Sequence, residues 1–133
     1  MKLLKLSPIL WTKNLGETAS FYENVLGFIK SSNFPNFISL SNGEVQIMFV
    51  IPTEEPEDCK DLADNSPFFS KPNMTGDLYI FMEKVDELWQ AVQGKAKIKS
   101  AIADRDYLMR DFSILDNNGY ELCFGEDISN KTS

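Results

Sequence analysis

Histidine is absent from the 133 residues of this chain. With it goes the commonest ligand for zinc, iron, nickel and copper, and the side chain best suited to moving protons near neutral pH. Positive charge is also scarce: 13 lysines and arginines stand against 20 aspartates and glutamates, a formal net charge of -7. A surface of that sign repels phosphate backbones and anionic lipid, which excludes nucleic acid and membrane as partners and favours cationic or neutral ligands. There are two cysteines, Cys59 and Cys123, far apart and with no CxxC pair, so a disulfide framework is not expected and a reducing cytoplasm is. No apolar run is long enough to cross a bilayer, and the opening run is too short for a signal peptide. We expect a soluble cytoplasmic protein.

What is present is enough for one core. Hydrophobic residues make up 43% of the chain and ten are phenylalanine, which suits a single domain over 1–133. A short strand is predicted at 9–12. Asn14 and Glu17 then stand where an N-cap and its N3 partner would start a helix. Phe21, Tyr22, Val25 and Leu26 recur at helical spacing, and Gly27 stops the pattern. Strands follow at 28–31, 37–40 and 44–51, the last two joined by Ser41-Asn42-Gly43, a strong hairpin signal.

The second half repeats this order. A strand at 78–82 precedes a helix with Val85, Leu88, Trp89 and Val92 at i, i+3, i+4 and i+7, ended by Gly94. Strands at 97–101 and 109–115 follow, and Asp116-Asn117-Asn118-Gly119 turns the chain into a last strand at 120–124. Phe37 to Gly43 and Phe112 to Gly119 align with about one inserted residue, the mark of an internal repeat. The reading is α+β: two βαβββ modules, about 5–51 and 77–126. The joining segment, 52–76, carries an acidic cluster and the pair Phe68-Phe69, and suits a linker, a lid or an interface.

The stretch from Tyr107 through Asp116-Asn117-Asn118-Gly119 to Glu126 resembles the terminal strand-turn-strand signature of the vicinal oxygen chelate superfamily. That superfamily includes glyoxalase I, extradiol dioxygenases, and fosfomycin- and bleomycin-resistance proteins. Pro8 to Asn14, Phe21-Tyr22 and Leu26-Gly27-Phe28 resemble its first strand and helix, and Val85-Asp86-Glu87-Leu88 its second helix. The resemblance implies that the eight strands curl as one mixed sheet into a cup, helices outside, with ligand held inside it, often at a homodimer interface. Alternation along the strands then points Ser7, Ile9, Trp11, Asp77, Tyr79, Phe81, Glu121 and Cys123 into the cup. Leu10, Leu78, Ile80, Met82, Leu122 and Phe124 should pack under the helices.

At the positions where metalloenzymes of the superfamily hold their ion, the resemblance assigns Ser7, Asp77, Cys123 and either Gln46 or Met48. Hard oxygen donors and a soft thiolate do not serve one metal well, so no cofactor is expected. The leading expectation is a metal-free small-molecule binding protein, similar to bleomycin-resistance proteins, that sequesters a cationic or aromatic ligand as a homodimer. Its candidate ligand-binding residues are Trp11, Gln46, Met48, Phe68, Phe69, Asp77, Tyr79, Phe81, Arg110, Glu121 and Cys123. Arg110 also suits a structural ion pair with Asp111 or Glu126. Cys123 equally suits a buried apolar filler, and no catalytic residue is assigned. The alternative is a metal-dependent glyoxalase- or dioxygenase-type enzyme using Asp77 and Glu121, with Glu44 nearby.

Overall fold

A computed structural model describes residues 1–52 and 74–130. The expectations for Phe68, Phe69, Cys59 and most of the joining segment lie outside the described residues. The order of elements is β1 (Ile9–Trp11), α1 (Leu15–Leu26), β2 (Ile29–Phe34), β3 (Phe37–Asn42), β4 (Val45–Val50), β5 (Leu78–Phe81), α2 (Val85–Val92), β6 (Lys97–Asp104), β7 (Met109–Leu115) and β8 (Glu121–Asp127). The eight strands form two four-stranded mixed sheets, ordered β1-β4-β3-β2 and β5-β8-β7-β6. Each module thus repeats one plan, with its first strand parallel to its last and the rest antiparallel.

Local chemistry explains the helix ends. Asn14 is extended and its side chain accepts from the Glu17 amide at 2.9 Å, while Gly27 closes α1 in the left-handed region at φ 72°. Such a cap contributes about 1 kcal/mol. The β3–β4 turn falls on Gly43-Glu44 rather than on Asn42-Gly43, since Asn42 still pairs with Val45. Asn42 instead donates from its side-chain amide to the Leu26 carbonyl at 3.2 Å, covering an orphan acceptor at the end of α1. Helix α2 has no cap of its own at Lys84. The Glu126 carboxylate on β8 accepts from the Val85 amide at 3.1 Å in its place.

One core serves both modules. Tyr22 and Leu26 of α1, Val85 and Val92 of α2, and the inward residues Ile38, Leu40, Ile47, Phe49, Phe112, Ile114, Leu122 and Phe124 form a continuous buried cluster. Leu10, Leu78, Ile80 and Met82 pack against it. Polar ties join the modules. Among them, Asn117 and Asn118 donate from their side-chain amides to the Thr18 hydroxyl at 3.0 and 3.3 Å. Tyr22 donates to Asp116 at 2.6 Å. Tyr120 donates to the Trp11 carbonyl at 2.9 Å and accepts from its amide at 3.1 Å. Thr12 donates to Asn118 at 2.7 Å. The opening segment and the β7–β8 turn, which carry the superfamily resemblance, are therefore in direct contact.

Strand β6 runs three residues past its predicted end. Ser100 pairs with Ser113 and Ala103 with Asp111, so β6 advances three residues where β7 advances two. That irregularity, and a second one between Ile98 and Ser100, break the alternation on which the sequence reading depends.

Candidate functional site

Residues that alternate with the core strands face away from the helices. On the second sheet, ladder pairing sets them in rows: Tyr79 lies beside Cys123, which pairs with Ser113, which pairs with Ser100. The next row is Phe81, Gly125, Asp111 and Ala103. Tyr79 and Phe81 pack with ring centroids 5.1 Å apart, and Phe81 is 72% exposed.

Asp111 is the centre of the arrangement. Only 2% of it is exposed, and its carboxylate is held from three sides. Tyr79 and Tyr107 both donate to Oδ2, at 2.8 and 2.6 Å, and Arg105 donates from Nε to Oδ1 at 2.8 Å. Burial works against ionisation, but the bonds from Tyr107, Arg105 and Tyr79 outweigh it and hold the carboxyl below its ordinary range. The same bond pushes Tyr107 up to about 12. Tyr79 reaches Asp111 diagonally across β8 because residue 125 is glycine; a Cβ there would collide with the tyrosine ring and hydroxyl.

Asp111, Arg105 and Tyr107 are not among the candidates drawn from the sequence, and Arg110 takes partners other than those expected. Arg110 was expected to pair with Asp111 or Glu126. It and Asp111 are consecutive on β7 and so point to opposite faces. Arg110 lies on the helix side, bonded to Asp86 at 2.9 Å and Asp104 at 2.9 Å, and so stands apart from the helix-free face. Asp111 takes Arg105 instead. Alternation from Phe112 and Ile114 would have found Asp111 and Ser113. Nothing local foretold Arg105 and Tyr107, which a turn with Leu108 at φ 63° carries back over the sheet.

Of the candidates, Tyr79, Phe81 and Cys123 come together, with Asp77 and Glu121 near enough for their charges to act on the Cys123 thiol. Trp11, Gln46 and Met48 lie on the first sheet. There Met48 pairs with Ile9 and Ser39, and Gln46 donates from Nε2 to the Ser39 hydroxyl at 2.6 Å. An open groove of about 680 Å³ lies between Leu4, Lys5 and Leu6 on one side and the strand residues Ser31 and Gln46 with the turn residue Glu44 on the other.

These groups do not fit a metal. The Cys123 thiol is pushed up to about 12, by burial first and then by the charges of Asp111, Asp77 and Glu121, so on its own it is a neutral thiol at about pH 7. Ser7 donates to the Gln46 carbonyl at 3.1 Å, and the Gln46 amide is committed to Ser39. Among the described residues no three Cys, Asp or Glu side chains converge on one point.

The chain belongs to the Glyoxalase/Bleomycin resistance protein/Dioxygenase superfamily, whose model matches residues 5–124. A protein of unknown function from Agrobacterium tumefaciens has the same fold, with a TM-score of 0.73 and 18% identity over 96% of each chain. A virulence protein from Salmonella typhimurium superposes with a TM-score of 0.70 at 20% identity, covering 96% of this chain and 100% of that one. A glyoxalase/bleomycin resistance protein/dioxygenase from Alicyclobacillus acidocaldarius gives 0.68 at 14% identity, covering 95% and 92%. At such identities the likeness is one of fold. No curated protein matches the chain. Among the described residues, no helix is long and apolar enough to cross a membrane.

Proposed function

We propose that this protein binds small cationic aromatic molecules without a metal, on the helix-free faces of its sheets, and acts by sequestering them. The observation that carries the reading is the Tyr79–Phe81 pair, its phenylalanine exposed and its tyrosine half-buried, set where three carboxylates, Asp111, Asp77 and Glu121, act on Cys123 against one guanidinium, that of Arg105. Aromatic faces supply stacking, and the excess of negative charge favours a cation over them. Exposed Leu3, Leu4, Leu6 and Ile9 support a homodimer, since they give the first sheet's edge an apolar surface for a second copy to cover.

Trp11 stands on the side of β1 that faces away from the core, whereas Trp89 packs against Phe112 with centroids 5.2 Å apart. A Trp89→Phe background therefore leaves Trp11 as the sole tryptophan emitter. Titration with 2-(1-naphthyl)ethylammonium should change Trp11 emission, and Phe81→Ala should weaken binding about fivefold or more. Rising salt should weaken it further. If this ion and its relatives leave the emission unchanged, and isothermal calorimetry on the parent protein finds no heat, the reading fails. Sedimentation velocity on the same samples reports whether the binding species is a dimer; a monomeric binder removes that part.

A further inference from the structure

Ser113 carries the one buried side-chain oxygen or nitrogen, among the described residues, that has no hydrogen-bond partner. It is 2% exposed and lies two residues from Asp111 on the same face of β7. A hydroxyl shut away from water with nothing to bond costs on the order of 1–3 kcal/mol, so such a group points to a partner that arrives from outside. Asp111, beside it, is fully occupied, but its donors are unequal. Tyr79 is half-buried and lies across Gly125. Arg105 is anchored four ways, to Asp111 Oδ1, the Asp111 carbonyl, Ser100 and the Ala101 carbonyl. Tyr107 is 61% exposed and held by its hydroxyl, on a turn whose next residue, Leu108, already sits in the left-handed region. It is the donor that can leave at least cost.

We propose that Asp111 and Ser113 form the polar floor of the ligand site, where an ammonium group bearing N–H bonds displaces the Tyr107 hydroxyl from Asp111 Oδ2 and donates a second hydrogen bond to Ser113 Oγ. This rests on the proposed function and narrows it to primary and secondary aryl-alkyl ammonium ions, whose rings stack on Tyr79 and Phe81. A quaternary ammonium has the charge and the ring but no N–H to give, and a neutral alcohol lacks the charge. The displaced Tyr107, still on its turn, is free to close over the ligand.

The test compares 2-(1-naphthyl)ethylammonium with its N,N,N-trimethyl analogue in the Trp89→Phe protein. The primary ion should bind about tenfold or more tightly, the value of one charge-assisted hydrogen bond. Ser113→Ala should bring that ratio down by about threefold or more. Tyr107→Phe should raise the affinity for the primary ion, because its competitor for Oδ2 is gone. Since Ser113 has no partner to lose, its alanine variant should fold normally, and a far-ultraviolet spectrum checks this. Equal binding of the two ions, or a ratio unmoved by Ser113→Ala together with weaker binding on Tyr107→Phe, overturns the inference while leaving the proposed function standing. Binding of neither ion overturns both.

Discussion

The two modules place a serine at matching points of the same plan, and the two serines fare oppositely. Ser39 sits between the core residues Ile38 and Leu40, and Ser113 between Phe112 and Ile114. Both are on the helix-free face, 3% and 2% exposed. Ser39 receives the Gln46 amide at 2.6 Å and the Ser31 hydroxyl at 3.1 Å; Ser113 receives nothing. In the second module the counterpart of Gln46 is Glu121, which pairs with Leu115 as Gln46 pairs with Ser41, and a carboxylate cannot donate. The hydroxyl on the adjoining strand, Ser100, is drawn to Arg105 at 3.2 Å. The first module has closed its polar groups on one another. The second has spent them on one buried carboxylate and left a gap.

Removing that carboxylate should have the largest effect. Asp111→Asn leaves Arg105 without its anion and should cost about 3 kcal/mol in urea unfolding at pH 7. The pH dependence has a definite sign. Because the folded state holds Asp111 below the ordinary carboxylate range, its contribution is present above about pH 4 and is lost as pH falls through the folded value. The gap between parent and variant should therefore narrow on acidification. Asp116 behaves in reverse. Burial raises its carboxyl despite bonds from Tyr22 and from the backbone of Tyr120, Asn118 and Gly119. What it adds to stability is thus fullest below about pH 4 and is lost as pH rises through the folded value. Asp116→Asn should differ most from the parent in acid. Two variants whose gaps changed with pH in the same direction would contradict this account.

Gly125→Ala comes next. The added methyl meets the Tyr79 ring as well as its hydroxyl, so we expect about 2 kcal/mol of destabilisation. Tyr79→Phe should not relieve it, whereas Tyr79→Ala in the same chain should recover part, which a double-mutant cycle measures. An additive pair would mean that Tyr79 does not lie over residue 125. This glycine marks where sequence reading stops. The helices, the hairpins and the core face were legible because capping residues, turn glycines and apolar periodicity act within a few residues. Tyr79 and Phe81 were legible by the same alternation. The Asp111 cluster was not, because it depends on a glycine inside β8 that no turn signal accompanies, on the irregular β6–β7 register, and on a turn that returns Arg105 and Tyr107. Arg110, next to Asp111 in sequence, offered a local ion pair that the opposite facing of consecutive strand residues forbids.

The smallest effect bears most directly on the two serines. Ser39→Ala removes an acceptor from Gln46 and from Ser31, and should cost about 1 kcal/mol, since the half-buried amide is left without a partner. Ser113→Ala removes a hydroxyl that bonds to nothing, and replaces it with a methyl that is easier to bury, so stability should be unchanged or slightly raised. Parallel urea titrations decide between two accounts of the second sheet. If Ser113→Ala destabilises the free protein as much as Ser39→Ala does, its hydroxyl already has a partner in the folded chain and the two modules are equally self-contained. If it does not, the Ser113 hydroxyl is unpartnered in the free protein, as the proposed ammonium site requires.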